Sequence, residues 1–583
     1  MRTRRFTSLL LSLLAGGTAA LTGQAASTAA EWPAYGGDPG GQRFSPLTEI
    51  TPANVGRLEV AWTYHTGELA DSFHTHARTS FEATPIVVDG ILYFSTPLGR
   101  VIALDPTTGR ERWTFDPHID RGVRYGDFTS RGVSTWLDAS APKGASCRRR
   151  IFEATIDARL IALDAATGSP CTAFGTAGGV ALRHGLRRPP LDSAEYEETS
   201  PPAVIGDLVV VGSAVADNGR TDMASGEVRA FDVQSGALRW TWDPVPQDRR
   251  DPAYATWRGP RAHQTGAANA WSIISADTAR GLVFIPTGSA SPDYFGGERL
   301  GDDRYANSVV ALHAKDGTIA WDFQLVHHDL WDYDNASPPT LVTIERNGRR
   351  IPAVLQANKD AELFVLDRRT GKPLFPVEER PVPRSDVPGE ASSATQPFSA
   401  IAALSPQSLP LDSVWGPTPE ARAACRARIA SDRNDGPFTP PSLRESVVRP
   451  GNIGGAAWGG VAFDPTRQIA IIPVNTIASL VRLIPRAQVD WAAAENSDAQ
   501  YTDMKGTPYV MRREFFITHQ KMPCTPPPFG ALVALDLRTG RKLWDVPLGD
   551  MSGYIKRTAG ADVAPPTGAP NLGGAMVTAS GLT

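Results

Sequence analysis

"VIALDPTTGRERW", residues 101–113, decides the fold because the chain repeats it. The pattern returns as "LIALDAATGSPC" (160–171), "VRAFDVQSGALRW" (228–240), "VVALHAKDGTIAW" (309–321), "LFVLDRRTGKPLF" (363–375) and "LVALDLRTGRKLW" (532–544). Each copy has a run of strand formers, an Asp (His313 once), a turn containing Gly, and a second run that closes on a bulky residue. Asp followed by Thr-Gly or Ser-Gly suits a tight hairpin, because Asp bonds its own backbone and Gly accepts positive φ. Further strands precede the copies, as in "TPIVVDGILYFST" (84–96) and "PPAVIGDLVVVGSAV" (201–215). Units of about four short strands, recurring every ~40–80 residues, are the sequence period of propeller blades. An antiparallel sandwich would not repeat one signature so often. Helical signal is sparse. "TPEARAACRARIASDR" (418–433) reads as a helix on an excursion from one blade, and Pro381–Pro410 reads as a long loop.

The 583 residues carry 58 Lys and Arg against 62 Asp and Glu, a net charge of −4, so nothing invites nucleic acid. Met1–Arg5 is basic, Leu9–Leu21 is apolar but short for a membrane span, and small residues follow. Residues 1–30 therefore read as a secretory signal, with a mature chain of 31–583 exported to the periplasm. Four cysteines in an exported chain suggest disulfides. Cys147 and Cys171 flank two strands that can pair as one hairpin, so we expect them bridged, with Cys425 left for Cys524. The absence of a Cys-x-x-Cys-His motif argues against a covalently bound c-type haem.

A repeat supplies only a scaffold, so function belongs where non-repeating polar residues gather near the axis. These are Glu82 in "FEATP", Arg131 in "FTSRGVS", Thr199 in "EETSPP", Asp217 and Asn218 in "GSAVADNG", and Asn269 and Trp271 in "NAWS". Ser289 and Ser291 in "TGSASPD", Asp332 in "VHHDLWDYDNASPPT" (326–340), Lys359 in "QANKDAELFVLD" and "GAPNLGG" (568–574) complete the set. Several hold comparable places at strand ends, where they can converge on one funnel.

Together, "EWPAYGGDPGGQRFSPLTEITPANV" (31–55), the Trp-ended repeats, "LWDYD" (330–334) and "VLDRRTGK" (365–372) resemble the quinoprotein dehydrogenases that use pyrroloquinoline quinone (PQQ). The similarity is strongest to their glucose/quinate/polyol branch, in a soluble form without a haem domain. It implies an all-β, eight-bladed β-propeller with PQQ across the funnel and Ca²⁺, or Mg²⁺, beside it. By this resemblance Asp332 is the catalytic base. Lys359 bonds the quinone oxygens, Trp271 is the floor beneath the cofactor, and Glu82, Arg131, Thr199 and Asn269 contact it. Asp217 and Asn218 are metal ligands, with a further oxygen from Ser291 or Ser289.

The residues themselves agree in part. Between Trp331 and Tyr333, Asp332 sits among poorly solvating groups that raise its pKa toward that of a useful base. Asp329 and Asp334 are read as structural or supporting residues. Asp217-Asn218-Gly also reads as a simple turn. His327 and His328 are adjacent on an extended segment and point apart, so they read as ordinary hydrogen-bonding residues. The chain departs from the family pattern at Ser130 (often Cys), Asp127 (His in glucose oxidisers) and Ala457 (Asn), which weakens a sugar assignment.

The expected reaction oxidises an alcohol group of a sugar, polyol, cyclic hydroxy acid or simple alcohol and passes electrons to a quinone or cytochrome acceptor. The rival class is a non-catalytic propeller scaffold of the cell envelope, which would lack the convergent set. "AMVTASGLT" (575–583) reads as an apolar strand of an unfinished blade, so we expect a propeller incomplete at its C-terminal end.

Overall fold

Each repeat places an apolar run before an Asx-type turn and a shorter, more polar run after it, and the structure pairs them antiparallel. Asp105 Oδ1, for example, accepts the backbone N–H of Thr107 (3.1 Å) and Thr108 (3.2 Å). The computed structural model describes residues 31–68 and 79–583, so the leader read over 1–30 lies outside the described residues.

Among the described residues six sheets follow in chain order, each strand beside its predecessor. The first is Ile86–Val88, Ile91–Ser95, Val101–Leu104 and Glu111–Phe115. The second is Ser134–Leu137, Arg149–Ala154, Arg159–Asp164 and Gly179–Ala181. The third runs from Ala203–Ile205 to Leu238–Trp242, and the fourth from Ser275–Asp277 to Ile319–Gln324. The fifth has three strands, Thr340–Arg346, Arg349–Ala357 and Leu363–Asp367, and the sixth runs from Ala462–Asp464 to Arg541–Pro547. First strands of neighbouring sheets lie against one another from the second sheet to the fifth, as the inner strands of a β-propeller do.

The Trp and Gly of the repeat join one sheet to the next. The Trp113 indole donates to Ala165 O (3.0 Å), Trp240 to Ala314 O (2.7 Å) and Trp321 to Arg368 O (3.0 Å), each acceptor directly following the Asp or His of the next repeat. The ring then covers that repeat's turn. A Cβ added to Gly371, at φ +69°, would stand 2.6 Å from the Trp321 ring, so only Gly fits there. Trp62 makes the same contact with the first repeat, donating to Pro106 O (3.1 Å).

An excursion that precedes the sixth sheet and resumes between its second and third strands forms its own sheet of Ser446–Val448, Ser479–Pro485, Tyr509–Phe515 and Gln500–Thr502. The expected helix forms over Pro419–Ile429, capped by Thr418 Oγ1 accepting from Ala421 N. Cys147–Cys171 and Cys425–Cys524 are bonded as expected, the second tying this helix to the excursion. The loop read over Pro381–Pro410 needs a correction. Thr395–Ser399 pairs antiparallel with Val377–Pro381, because burial of Gln396 and Phe398 outweighs the turn chemistry around them. Of "AMVTASGLT" only Val577–Thr578 is a strand, paired parallel with Phe44–Ser45. Among the described residues no helix is long and apolar enough to cross a membrane.

Candidate active site

One residue just ahead of the first strand of each sheet faces a common cavity of about 500 Å³. Glu82, Arg131, Thr199, Trp271, Ala336 and Trp458 stand three or four positions before strands that begin at Ile86, Ser134, Ala203, Ser275, Thr340 and Ala462. Radial sheets bring equivalent strand starts together at one end of the axis, so six separate segments build one wall.

Asp332 lines the same cavity at φ +62°, a conformation non-glycine residues rarely adopt. Its turn is held from behind. The Asp329 carboxylate accepts the N–H of Trp331 (3.1 Å) and Tyr333 (3.0 Å), and Ser289 Oγ donates to it. Trp331 and Tyr333 are buried in a core cluster, the indole donating to Thr439 O and the phenol to Pro450 O, both at 2.8 Å. Asp329 is therefore structural, as expected, with its carboxyl pushed up to about 6 by burial.

Both oxygens of Asp332 meet a cation. Lys359 Nζ lies 2.6 Å from Oδ1, and Arg513 Nη1 lies 2.9 Å from Oδ2. The Tyr294 hydroxyl is 3.4 Å from Oδ2 and is itself bonded by Arg513. Burial raises the Asp332 pKa; Lys359 and Arg513 oppose the rise and Asp334 adds to it. Lys359 also holds Asp334 Oδ2 at 2.8 Å. Burial opposes the lysine's charge, but the two carboxylates outweigh it and keep Lys359 protonated. Asp334 accepts in addition from the Trp271 indole (3.1 Å) and Ser289 N (2.6 Å), and these with Lys359 hold it down at about 2 against burial. Asp334 thus faces the cavity and fixes both Lys359 and Trp271.

Arg131 also lines the cavity, ion-paired with Glu82 Oε2 (2.9 Å) and donating to Thr199 Oγ1 (2.6 Å). Its guanidinium lies 5.0 Å from the Trp271 ring centre and 5.5 Å from that of Trp458. Two indoles and two cations around one slot suit a flat, multiply anionic cofactor, so these residues fit PQQ. Asn269 does not line the cavity; it is buried and donates to Ser213 O at 2.6 Å.

Asp217 lines the cavity, its carboxyl pushed well up by burial and then by Asp334 and Asp332. Asn218 Oδ1 is buried with no hydrogen-bond partner. A cavity-lining carboxylate beside an orphaned amide oxygen fits a hard cation. Ser291 Oγ instead donates to Asp217 O (2.6 Å) and also to Arg220 O, bracing the loop that carries Asp217. Among the described residues no cluster of three or more His, Cys, Asp or Glu side chains is arranged as a metal site.

Neither His327 nor His328 lines the cavity. His328 lies between Glu390 Oε1 (2.8 Å) and Asp303 Oδ2 (3.4 Å). Trp458, Glu197 and Arg513 were not singled out from sequence. The strand-start rule would have found Trp458, whereas nothing local marks Arg513.

A β-propeller whose blades converge on an Asp–Lys–Asp network and an indole-walled slot has the architecture of a quinoprotein dehydrogenase. Residues 32–583 match the family described as "PQQ: Glucose/ethanol/alcohol dehydrogenase, beta-propeller domain", and the chain belongs to that family. It is 36% identical to the quinate/shikimate dehydrogenase (quinone) of Acinetobacter baylyi, over 94% of this chain and 70% of that protein. It is likewise 36% identical to the quinoprotein glucose dehydrogenase of Gluconobacter oxydans, over 95% of this chain and 71% of that protein. Among solved structures, the quinohemoprotein alcohol dehydrogenase of Comamonas testosteroni aligns with a TM-score of 0.64 at 26% identity, covering 94% of this chain and 69% of that one. The chain is thus a PQQ-family oxidoreductase acting on CH–OH donors, and the scaffold reading falls away.

Proposed function

We propose that the axial cavity oxidises an alcohol group of a small polyhydroxylated or hydroxy-acid substrate. The observation that carries this is Asp332, a partly buried carboxylate facing the cavity with its pKa raised and both oxygens held by cations. Asp332 accepts the hydroxyl proton of the substrate. Lys359, Arg131 and Thr199 hold PQQ, with Trp271 and Trp458 as flanking walls; when bound, the quinone supplies the two-electron acceptor. Lys359 stays cationic and presents fixed positive charge where negative charge develops. Asp217 and Asn218 hold Ca²⁺ or Mg²⁺, Ser291 positions their loop, and Glu82 positions Arg131.

The propeller follows an eight-bladed plan. Beyond the six sheets, Trp62 docks on the first repeat as the outer edge of one further blade, and Val577–Thr578 with Phe44–Ser45 forms part of another. The site works in the periplasm and delivers electrons to a quinone or cytochrome acceptor.

The test is reconstitution with PQQ and Ca²⁺, followed by a dye-linked screen of hydroxy acids, polyols, sugars and simple alcohols. We expect saturable binding of PQQ, seen by absorbance, and turnover that requires both additions. PQQ that leaves the spectrum unchanged, or turnover without it, overturns the reading.

A further inference from the structure

Arg513 reaches the cavity from outside the six sheets, on the strand Tyr509–Phe515 of the excursion. It lines the cavity and meets Asp332 there. Arg131 and Lys359 are occupied by carboxylates and, on this reading, by the cofactor. Arg513 is only half engaged. Its Nη1 holds both Asp332 Oδ2 (2.9 Å) and the Tyr294 hydroxyl, whereas Nη2 holds the neutral, exposed side chain of Gln500 at 2.6 Å. A guanidinium fork with one edge on a displaceable amide is built to accept a planar anion side-on.

Six carboxylates line the cavity, Glu82, Asp127, Glu197, Asp217, Asp332 and Asp334, and four of them are paired or held neutral. Glu82 is paired with Arg131, and Asp332 and Asp334 are paired with Lys359. Burial pushes Glu197 up to about 8 despite N–H bonds from Gly126 and Asp127, so it is neutral at pH 7.

We propose that Arg513 is a specificity-determining residue that takes the carboxylate of a hydroxy-acid substrate in place of Gln500, setting a hydroxyl a few bonds away against Asp332. This rests on the cavity being the alcohol-oxidising site. A neutral polyol offers Arg513 only what water offers, so a carboxylate gains charge-assisted bonds that a sugar or simple alcohol does not.

The holoenzyme is assayed with quinate, glycerol and glucose, as wild type and as Arg513→Gln and Arg513→Lys. In parallel, calorimetry measures cyclohexanecarboxylate and its neutral carboxamide binding to each protein. We expect wild type to favour quinate, and Arg513→Gln to lower the quinate-to-glycerol ratio of kcat/KM about 10–100-fold. Arg513→Lys should recover part of that ratio. The carboxylate should bind wild type and fail on Arg513→Gln, while the carboxamide distinguishes neither. Should Arg513→Gln not fold, Gln500→Glu places a carboxylate on the free edge of the fork and should erase the preference without touching Asp332. A ratio unchanged within about 3-fold, or equal binding of carboxylate and carboxamide to wild type, overturns the inference. Absence of turnover on every alcohol overturns the reading of the cavity instead, and the calorimetry still decides the role of Arg513.

Discussion

Asp332→Asn separates the base from the framework around it. The amide retains one oxygen, which can accept from Lys359 or from Arg513 but not from both, where wild type satisfies Lys359 at 2.6 Å and Arg513 at 2.9 Å. Lys359 keeps a second carboxylate in Asp334 at 2.8 Å, so its position survives. The amide nitrogen then faces one of two cationic donors, and a charge-assisted bond worth about 1.5–3 kcal/mol is lost. Arg131, Thr199, Trp271 and Trp458 are untouched, so PQQ affinity should stay within a few-fold. Proton removal is lost altogether, which costs ~10²–10⁴ in kcat, or about 3–5 kcal/mol of barrier. The assay is dye-linked turnover at saturating PQQ and Ca²⁺, with cofactor titration and thermal unfolding as controls. The pH profile gives an independent check. Burial raises the pKa of Asp332, so the wild-type rate should fall as pH drops through a value above the usual carboxylate range near ~4. The variant should lose that acid limb. A variant within tenfold of wild type, or one that keeps the limb, refutes Asp332 as the base.

The remaining expectations concern the framework. The folded pKa of Glu197 is raised to about 8, so its contribution to stability is full below the unfolded value near ~4.5 and lost as pH rises toward 8. Glu197→Gln should therefore flatten the fall in melting temperature between pH 6 and 9, and parallel curves would contradict this. At His328 burial opposes the charge, but Glu390 and Asp303 outweigh it and raise the pKa to about 9. That stabilisation is present below ~6.5 and lost through 9, so His328→Gln should cost about 3–5 kcal/mol at pH 7 and have a shallower alkaline slope in urea unfolding. Gly371→Ala combines φ +69° with a Cβ 2.6 Å from the Trp321 ring and should lower stability by about 1–3 kcal/mol, whereas a neutral result would mean that the ring moves freely. Asp217→Ala should raise the Ca²⁺ concentration required for thermal stabilisation; an unchanged titration would reduce Asp217 and Asn218 to a turn.

The blade signature is readable because its contacts are made between successive repeats. A Trp covers the Gly turn of the next copy, so Trp and Gly must recur together. The axial residues are readable for a related reason: Glu82, Arg131, Thr199, Trp271 and Trp458 share an offset from a strand start, and the propeller turns that offset into proximity. Arg513 breaks the rule. It reaches Asp332 across 181 residues of sequence, from a sheet that no repeat generates, so neither spacing nor pattern announces it. Ser289 and Ser291 were indistinguishable in sequence because both are small hydroxyl donors. Only the fold shows the first spent on Asp329 and the second on the backbone of Asp217 and Arg220.

The aromatic residues around Asp332 act differently from their first appearance in the sequence. Trp331 and Tyr333 lie in the core and do not face the cavity, and each is pinned by its polar atom to the excursion that also carries Arg513. A left-handed backbone at a non-glycine residue costs about 1–3 kcal/mol and persists only where its surroundings over-determine it. Here the surroundings are the Asp329 bonds to both flanking N–H groups and the two buried rings. Removing either ring therefore acts on the angle at which the Asp332 carboxylate meets Lys359 and Arg513. The excursion thus grips Asp332 twice, through Arg513 on the carboxylate and through Thr439 and Pro450 on its aromatic neighbours. A graft that kept the six sheets but replaced residues 436–451 and 476–515 would lose the orientation of the base along with the arginine.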